Sequence, residues 1–267
     1  MDLGLAQARV IITGGASNIG RGIVHAFARE GSRILLADVD AAQAERVRKE
    51  ALDLGAPEVI LSVGDLTAAG TAERVVAAAV QAWHGVDVLV NNAGWSAGEF
   101  LERDDDRERW RKLVEVNLFT AADVTRCAIA AMRADDAPGG AVVFIASEAA
   151  FGQVRQGMYG ATKAAEVALA RTTAREHGRH GIRANVVCPG LVIPGGPEAV
   201  GASSLWAGGT DTVFTGKQVD YLLKDTPLGR LTLASDVANT VLWFASDVAA
   251  RQVTGQLVAV SGGYTMP

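Results

Sequence analysis

The strongest constraint on this chain is a junction near its start. A short β-branched run, Arg9 to Thr13, ends in Thr13-Gly14-Gly15-Ala16-Ser17-Asn18-Ile19-Gly20-Arg21-Gly22. An amphipathic helix follows, with Ile23, Val24, Phe27 and Ala28 on its apolar face, and Gly31 terminates it. Glycines permit a tight turn and close approach of backbone to a ligand. The helix N-terminus beyond them offers unpaired N–H groups and a partial positive charge. Such a loop also serves as a plain strand-to-helix turn, but strand, glycine-rich turn and helix together favour a dinucleotide pyrophosphate.

The alternation continues to the end of the chain. Strands are expected at Arg33 to Ala37, Val59 to Val63, Asp87 to Val90, Ala141 to Ala146, Ile182 to Val187 and Leu257 to Val260. Helices are expected at Ala41 to Leu54, Thr71 to Trp83, from a charged, solvated start within Leu101 to Arg111 and then Trp110 through Met132, from Tyr159 to about Glu176, and at Asp236 to Phe244. Strands alternating with helices predict an α/β fold with a parallel sheet of about seven strands. No linker or composition break divides the 267 residues, so residues 1–267 read as one domain. The Gly-, Pro- and Thr-rich stretch from Gly195 to Lys217 falls within a lid-like insertion near residues 191–225.

Composition excludes several function classes. A formal net charge of −5 without a long basic run argues against a nucleic-acid or anionic-membrane surface. The apolar runs are strand-length, none approaching a membrane span. Cys127 and Cys188 stand alone, which suits a reducing compartment and offers no disulfide framework. With no basic segment and apolar core at the N-terminus, a cytoplasmic protein is expected. His177 and His180 have no apparent third ligand, so no metal site is expected.

Individual side chains then suggest chemistry. Asp38 ends the second strand 18 residues after Gly20, where an acid holds the adenosine ribose hydroxyls and would repel a 2′-phosphate. It favours NAD over NADP. Asp65, in Gly64-Asp65-Leu66-Thr67, suits either an adenine contact or a local turn. Asn117 interrupts an apolar run and needs buried hydrogen-bond partners or a water. Ser147 follows the fifth strand, where open α/β sheets place ligands. Tyr159 and Lys163 lie one helical turn apart on one face. A free phenol has a pKa of about 10, and a neighbouring ammonium pulls it down.

Together these residues resemble the short-chain dehydrogenase/reductase family over nearly the whole chain, and the resemblance implies a Rossmann-like doubly wound sheet with helices on both faces. The glycine motif at Thr13 to Gly20 carries Asn18 in place of the family's middle glycine. Asn91-Asn92-Ala93-Gly94 is intact. Asn117, Ser147, Tyr159 and Lys163 match the catalytic tetrad in type and order, although Ser147 lies 12 residues before Tyr159, one fewer than the family's habit. That shifts attention to the loop from Glu148 to Met158. The resemblance implies dinucleotide contacts at Gly14, Ser17, Asn18, Ile19, Gly20, Asp38, Asp65, Leu66, Asn91, Ala93, Gly94, Tyr159, Lys163, Pro189, Gly190 and Val192. It also implies a homotetramer or homodimer.

The implied activity is hydride transfer between NAD(H) and a secondary alcohol or ketone. Tyr159 exchanges the hydroxyl proton, Lys163 lowers its pKa, Ser147 donates to the substrate oxygen and Asn117 holds a relay water. Trp95, Val154, Met158, Leu191, Trp206 and Phe214 suggest an apolar pocket for an alicyclic or aromatic substrate. A 3-oxoacyl-thioester reductase is the alternative. A dinucleotide-binding sensor without turnover is a third reading, against which the intact Ser147, Tyr159 and Lys163 argue.

Overall fold

The apolar runs and amphipathic helices fold as seven parallel strands and eight α-helices among the described residues. The computed structural model describes residues 2–134, 139–209, 213 and 215–267. The strands are β1 (Arg9–Thr13), β2 (Arg33–Asp38), β3 (Val59–Val63), β4 (Val88–Asn91), β5 (Gly140–Ile145), β6 (Ile182–Pro189) and β7 (Leu257–Val260). The helices are α1 (Asn18–Arg29), α2 (Ala41–Asp53), α3 (Thr71–Trp83), α4 (Arg107–Val114), α5 (Thr120–Met132), α6 (Gly157–His177), α7 (Gly216–Asp225) and α8 (Ala234–Ala245). Strand order is β3-β2-β1-β4-β5-β6-β7. The order reverses between β1 and β4, so the turns leaving these neighbours diverge and open a crevice at their C-terminal ends.

Successive strand residues point to opposite faces, and both faces are covered. Val10 and Ile12 join the core built by Ile23 and Phe27 of α1, Val47 of α2 and Phe244 of α8. Ile11 joins the other core with Val75 of α3, Val124 of α5 and Val167 of α6. This is the doubly wound Rossmann-like architecture expected from the sequence. No described helix is long and apolar enough to cross a membrane.

Three local departures matter. The helix expected to start within Leu101 to Arg111 begins at Arg107, but on its way to Met132 it contains a π-helical turn, Glu115–Phe119, centred on Asn117. There the Thr120 hydroxyl donates to the Val116 carbonyl at 2.6 Å. A π turn inserts one extra residue per turn and re-aims a side chain. Strand β4 starts one residue later than expected, because Asp87 is engaged with the Arg9 backbone and guanidinium. Within the insertion near 191–225, where the sequence predicts an irregular lid, Thr215 and Gln218 form a capping box that starts α7.

The turn between β1 and α1 tolerates no added atom at Gly20, where a Cβ would stand 1.9 Å from the Gly14 carbonyl oxygen. We expect Gly20→Ala to cost about 1–3 kcal/mol, read as a lower thermal midpoint. An unchanged midpoint would mean that this turn is not close-packed in solution.

Candidate active site

The crevice at the β1–β4 divergence is a cavity of about 550 Å³. Its wall includes Gly14, Ser17, Asn18, Ile19 and Gly20 from the first turn, Asp38 after β2, Asp65 and Leu66 after β3, and Ala93 and Gly94 after β4. Tyr159, Lys163, Trp95 and Trp206 complete the part of the wall anticipated from sequence. The two turns that flank the crevice are stitched together. The Thr13 hydroxyl accepts from the Asn92 and Ala93 backbone at 3.0 and 3.1 Å. The Asn92 amide donates to the carbonyls of Thr13 and Gly14 at 3.0 and 2.8 Å.

That bridging role falls to Asn92, not to Asn91. Asn91 still belongs to β4, so its side chain turns to the α5 face and donates to the Thr125 hydroxyl at 2.8 Å. Strand alternation was the available signal, since residue 92 must point the other way. Asn18 takes a left-handed φ of 42°, which asparagine tolerates better than other non-glycine residues. Its amide donates to the Val192 carbonyl at 3.1 Å and so ties the segment after β6 to the first turn. Pro189, Gly190 and Val192 do not line the cavity. Val192 is buried, and the Gly190 N–H is bonded to the Val260 carbonyl at 2.9 Å.

The cradle offers unused polar groups. Ser17 caps α1 without a side-chain bond, and its hydroxyl is buried with no partner. The Asp38 carboxylate accepts from the Ala16 and Asp40 backbone at 2.9 and 3.0 Å. Burial pushes its carboxyl above the ordinary value, and the backbone N–H groups pull it back. Asp65 accepts from the Thr67 backbone and hydroxyl at 2.9 and 2.7 Å, the local turn that was its plainer reading, while still lining the cavity.

At the other end, α6 presents Tyr159 and Lys163 against the end of β5. The Lys163 ammonium donates to the Ile145 carbonyl at 2.9 Å and to Glu166 at 2.8 Å. Burial opposes that ammonium, but Glu166 and Tyr159 hold its pKa above the ordinary value, so it stays charged. Burial also pushes the Tyr159 phenol up. Lys163 and a hydrogen bond with Ser147 pull it down, and Glu166 pushes it up again. Lys163 thus lowers the phenol as expected, but burial outweighs it and the net direction is upward. Ser147 accepts from the Ala149 N–H at 3.1 Å and opens a 3-10 turn, Glu148–Phe151. Helix α6 packs on this turn at Gly160, where a Cβ would lie 2.4 Å from the Ala149 carbonyl oxygen. The shorter loop therefore still brings Ser147 to Tyr159.

Asn117 is fully buried, and its side chain is committed. It donates to the Trp95 carbonyl and the Thr162 hydroxyl, both at 3.0 Å, and accepts from the Trp95 N–H at 2.7 Å. It fixes Trp95 and α6 relative to each other, and neither it nor Ser147 lines the cavity wall. On the substrate side, Lys112 lines the cavity with its ammonium 4.3 Å from the centre of the Trp95 ring. The sequence reading missed this cation because it sits among the charged residues of α4. Residues 198–202 cross to α2, with Ala202 N–H donating to Asp40 at 2.8 Å and Gln43 donating to the Glu198 carbonyl at 2.9 Å. Val154 departs from expectation, being 75% exposed in the loop before α6 and outside the cavity. Leu191 lines a separate small cleft beside Glu148, and Phe214 lies outside the described residues.

The chain matches the family profile described as enoyl-(acyl carrier protein) reductase over residues 14–265. It is 30% identical to a subunit of (2S)-[(R)-hydroxy(phenyl)methyl]succinyl-CoA dehydrogenase from Thauera aromatica, across 99% of each chain. It is 32% identical to L-rhamnose 1-dehydrogenase (NAD(P)(+)) from Azotobacter vinelandii, across 97% of each. Its fold resembles that of the NADH-dependent reductase A1-R′ complexed with NAD, with a TM-score of 0.82 at 27% identity over the full length of both. The chain belongs to the short-chain dehydrogenase/reductase family.

Glu148, next to Ser147, is pushed up to about 7 by burial, and its Oε2 is buried without a partner. A carboxyl raised in the folded state binds its proton more tightly there than in the unfolded chain. Its contribution to stability is therefore lost as pH rises from the ordinary carboxylate range through the folded value. We expect Glu148→Gln to stabilise the chain at pH 8, by the order of 1–2 kcal/mol after allowing for partial exposure, and to leave it unchanged near pH 4. Urea midpoints at the two pH values check this.

Proposed function

We propose that this chain is an NAD-dependent oxidoreductase that interconverts a secondary alcohol and its ketone. The observation that carries the reading is the meeting, in one cavity, of the glycine-turn cradle with Asp38 and the Tyr159–Lys163 pair. The cradle fits a dinucleotide: the α1 N-terminus and the unpartnered Ser17 hydroxyl are donors suited to a pyrophosphate. Asp38, at the end of β2, is placed for ribose hydroxyls and disfavours a 2′-phosphate. On this reading Asp65 and Leu66, which line the same cavity, would meet the adenine, and Lys163 the nicotinamide ribose.

A bound nicotinamide supplies the hydride acceptor or donor. The chain's own residues manage the proton and the oxygen. Ser147 donates to the substrate oxygen and stabilises charge developing there. In oxidation Tyr159 takes the hydroxyl proton, and in reduction it returns it. Lys163 lowers the cost of the phenolate that Tyr159 must become. Asn117 holds Trp95 and α6 in register, so that the substrate wall and the Tyr159 helix keep their spacing.

Trp95 and Trp206 on the cavity wall support an apolar, alicyclic or aromatic substrate, and the phenyl-bearing alcohol in the name of the Thauera relative accords with it. A 3-oxoacyl-thioester reductase is the second reading. Lys112 at the cavity wall is a cation that could meet an anionic carrier, and the same relative is named for a CoA thioester.

A panel of secondary alcohols, ketones and 3-oxoacyl thioesters, read at the nicotinamide absorbance with NAD and NADP side by side, tests these readings. Preference for NAD and an apolar alcohol supports the first, thioester reduction the second, and NAD binding without turnover a sensor. We expect Tyr159→Phe to abolish turnover with NAD affinity kept within a few-fold. Because burial holds the phenol above its ordinary value, alcohol oxidation by the parent should rise through the alkaline range and not level off below the ordinary phenol value of about 10. A profile flat through that range would contradict the role of Tyr159.

A further inference from the structure

Lys163 has a second partner that the reaction above does not use. Its ammonium donates to Glu166 Oε1 at 2.8 Å, and the two side chains are 4% and 2% exposed. The other carboxylate oxygen, Oε2, is buried with no hydrogen-bond partner. Glu166, Lys163 and Tyr159 follow one another at three- and four-residue steps along the same face of α6. A buried charge is tolerated only when paired. Here one ammonium meets two groups able to become its anion, the Glu166 carboxyl and the Tyr159 phenol.

We propose that Glu166 is a positioning residue that competes with Tyr159 for the charge of Lys163. While Glu166 is ionised, it draws Lys163 to itself and keeps Tyr159 a phenol. When Glu166 takes up a proton, the ammonium is left to the phenolate. The exchange balances: an O–H bond breaks at Tyr159, another forms at Glu166, Lys163 stays protonated, and the net charge of the three is unchanged. This inference rests on the reading of Tyr159 as the proton-transfer group.

The surroundings suit that exchange. The titratable groups that interact with Glu166 are Lys163 and Tyr159 on α6 and Cys188 on β6. The Cys188 thiol is pushed up to about 12 by burial and stays neutral. Burial and Lys163 are what shift Glu166, and Glu148, Glu115, Lys112 and Arg179, on the other elements packed on α6, are not among the groups that do so. Burial pushes the Glu166 carboxyl up to about 7 against the pull of Lys163, so the proton is exchangeable near neutrality. Glu166→Gln keeps an oxygen for Lys163 but removes the competing charge.

The test is the ultraviolet absorbance of tyrosinate in the ligand-free protein, titrated with pH. Each background is compared with its own Tyr159→Phe counterpart to isolate Tyr159, and circular dichroism verifies folding at every point. In Glu166→Gln the Tyr159 midpoint should fall by about one pH unit or more. The rising limb of alcohol oxidation should move the same way, which a merely structural role would not cause. Glu166→Asp, which keeps the charge, should restore a midpoint near that of the parent. Glu166→Met serves as a second neutral variant if Glu166→Gln does not fold. Coincident midpoints, an upward move, or failure of both neutral variants to fold would overturn the proposal. Failure of the oxidoreductase reading would show separately, as absence of turnover, and would leave the titration intact.

Discussion

A buried ammonium organises the active end of this molecule. Lys163 is 3% exposed, and a charge so enclosed must find fixed partners. It finds the Ile145 carbonyl at the end of β5 and the carboxylate of Glu166 on its own helix. The bond to Ile145 holds α6 against the C-terminal end of β5, which in turn aims Tyr159 into the crevice. Close approach at Gly160 seats the 3-10 turn carrying Ser147 against the same helix. Removing Glu166 or crowding Gly160 therefore acts on the same group of side chains by different routes.

The other end of the crevice depends on topology. Strand order reverses between β1 and β4, and the divergence would be an open gap without cross-bonds. Thr13 and Asn92 supply them, each bonding the turn opposite. Asn18 adds a tether to Val192, and Asp40 and Gln43 hold residues 198–202 across the α2 side. The side chains of Thr13, Asn18, Asp38, Asp40, Gln43 and Asn92 are spent on holding backbone. The Ser17 hydroxyl is not, and it marks where a ligand's polar atoms fit best.

Much of this was legible in the sequence. Strand and helix periodicity gave all seven strands, because parallel strands buried on both faces read as short apolar runs. Val59–Val63, Thr71–Trp83 and Leu257–Val260 end where expected. The motif residues of the cradle, Tyr159 and Lys163 meet in one cavity. What periodicity missed was local geometry. The π turn at Asn117 arises from backbone bonding, not from a change in apolar pattern. Helix α7 was hidden by Gly and Thr, although the Thr215–Gln218 capping box was readable. Val154 looked like a pocket residue by composition, but the loop turns it to solvent. The Glu166–Lys163 contact follows from a simple three-residue offset, and only burial reveals that it matters.

On the proposed function, a carbinol hydrogen leaves this site as hydride to a nicotinamide while its hydroxyl proton goes to Tyr159. The most direct measurement uses the best alcohol from the substrate panel, labelled with deuterium at the carbinol carbon and turned over with NAD. The label should be recovered on the reduced nicotinamide, with no loss to water. Label appearing in solvent, or ketone formed without reduced cofactor, would contradict it.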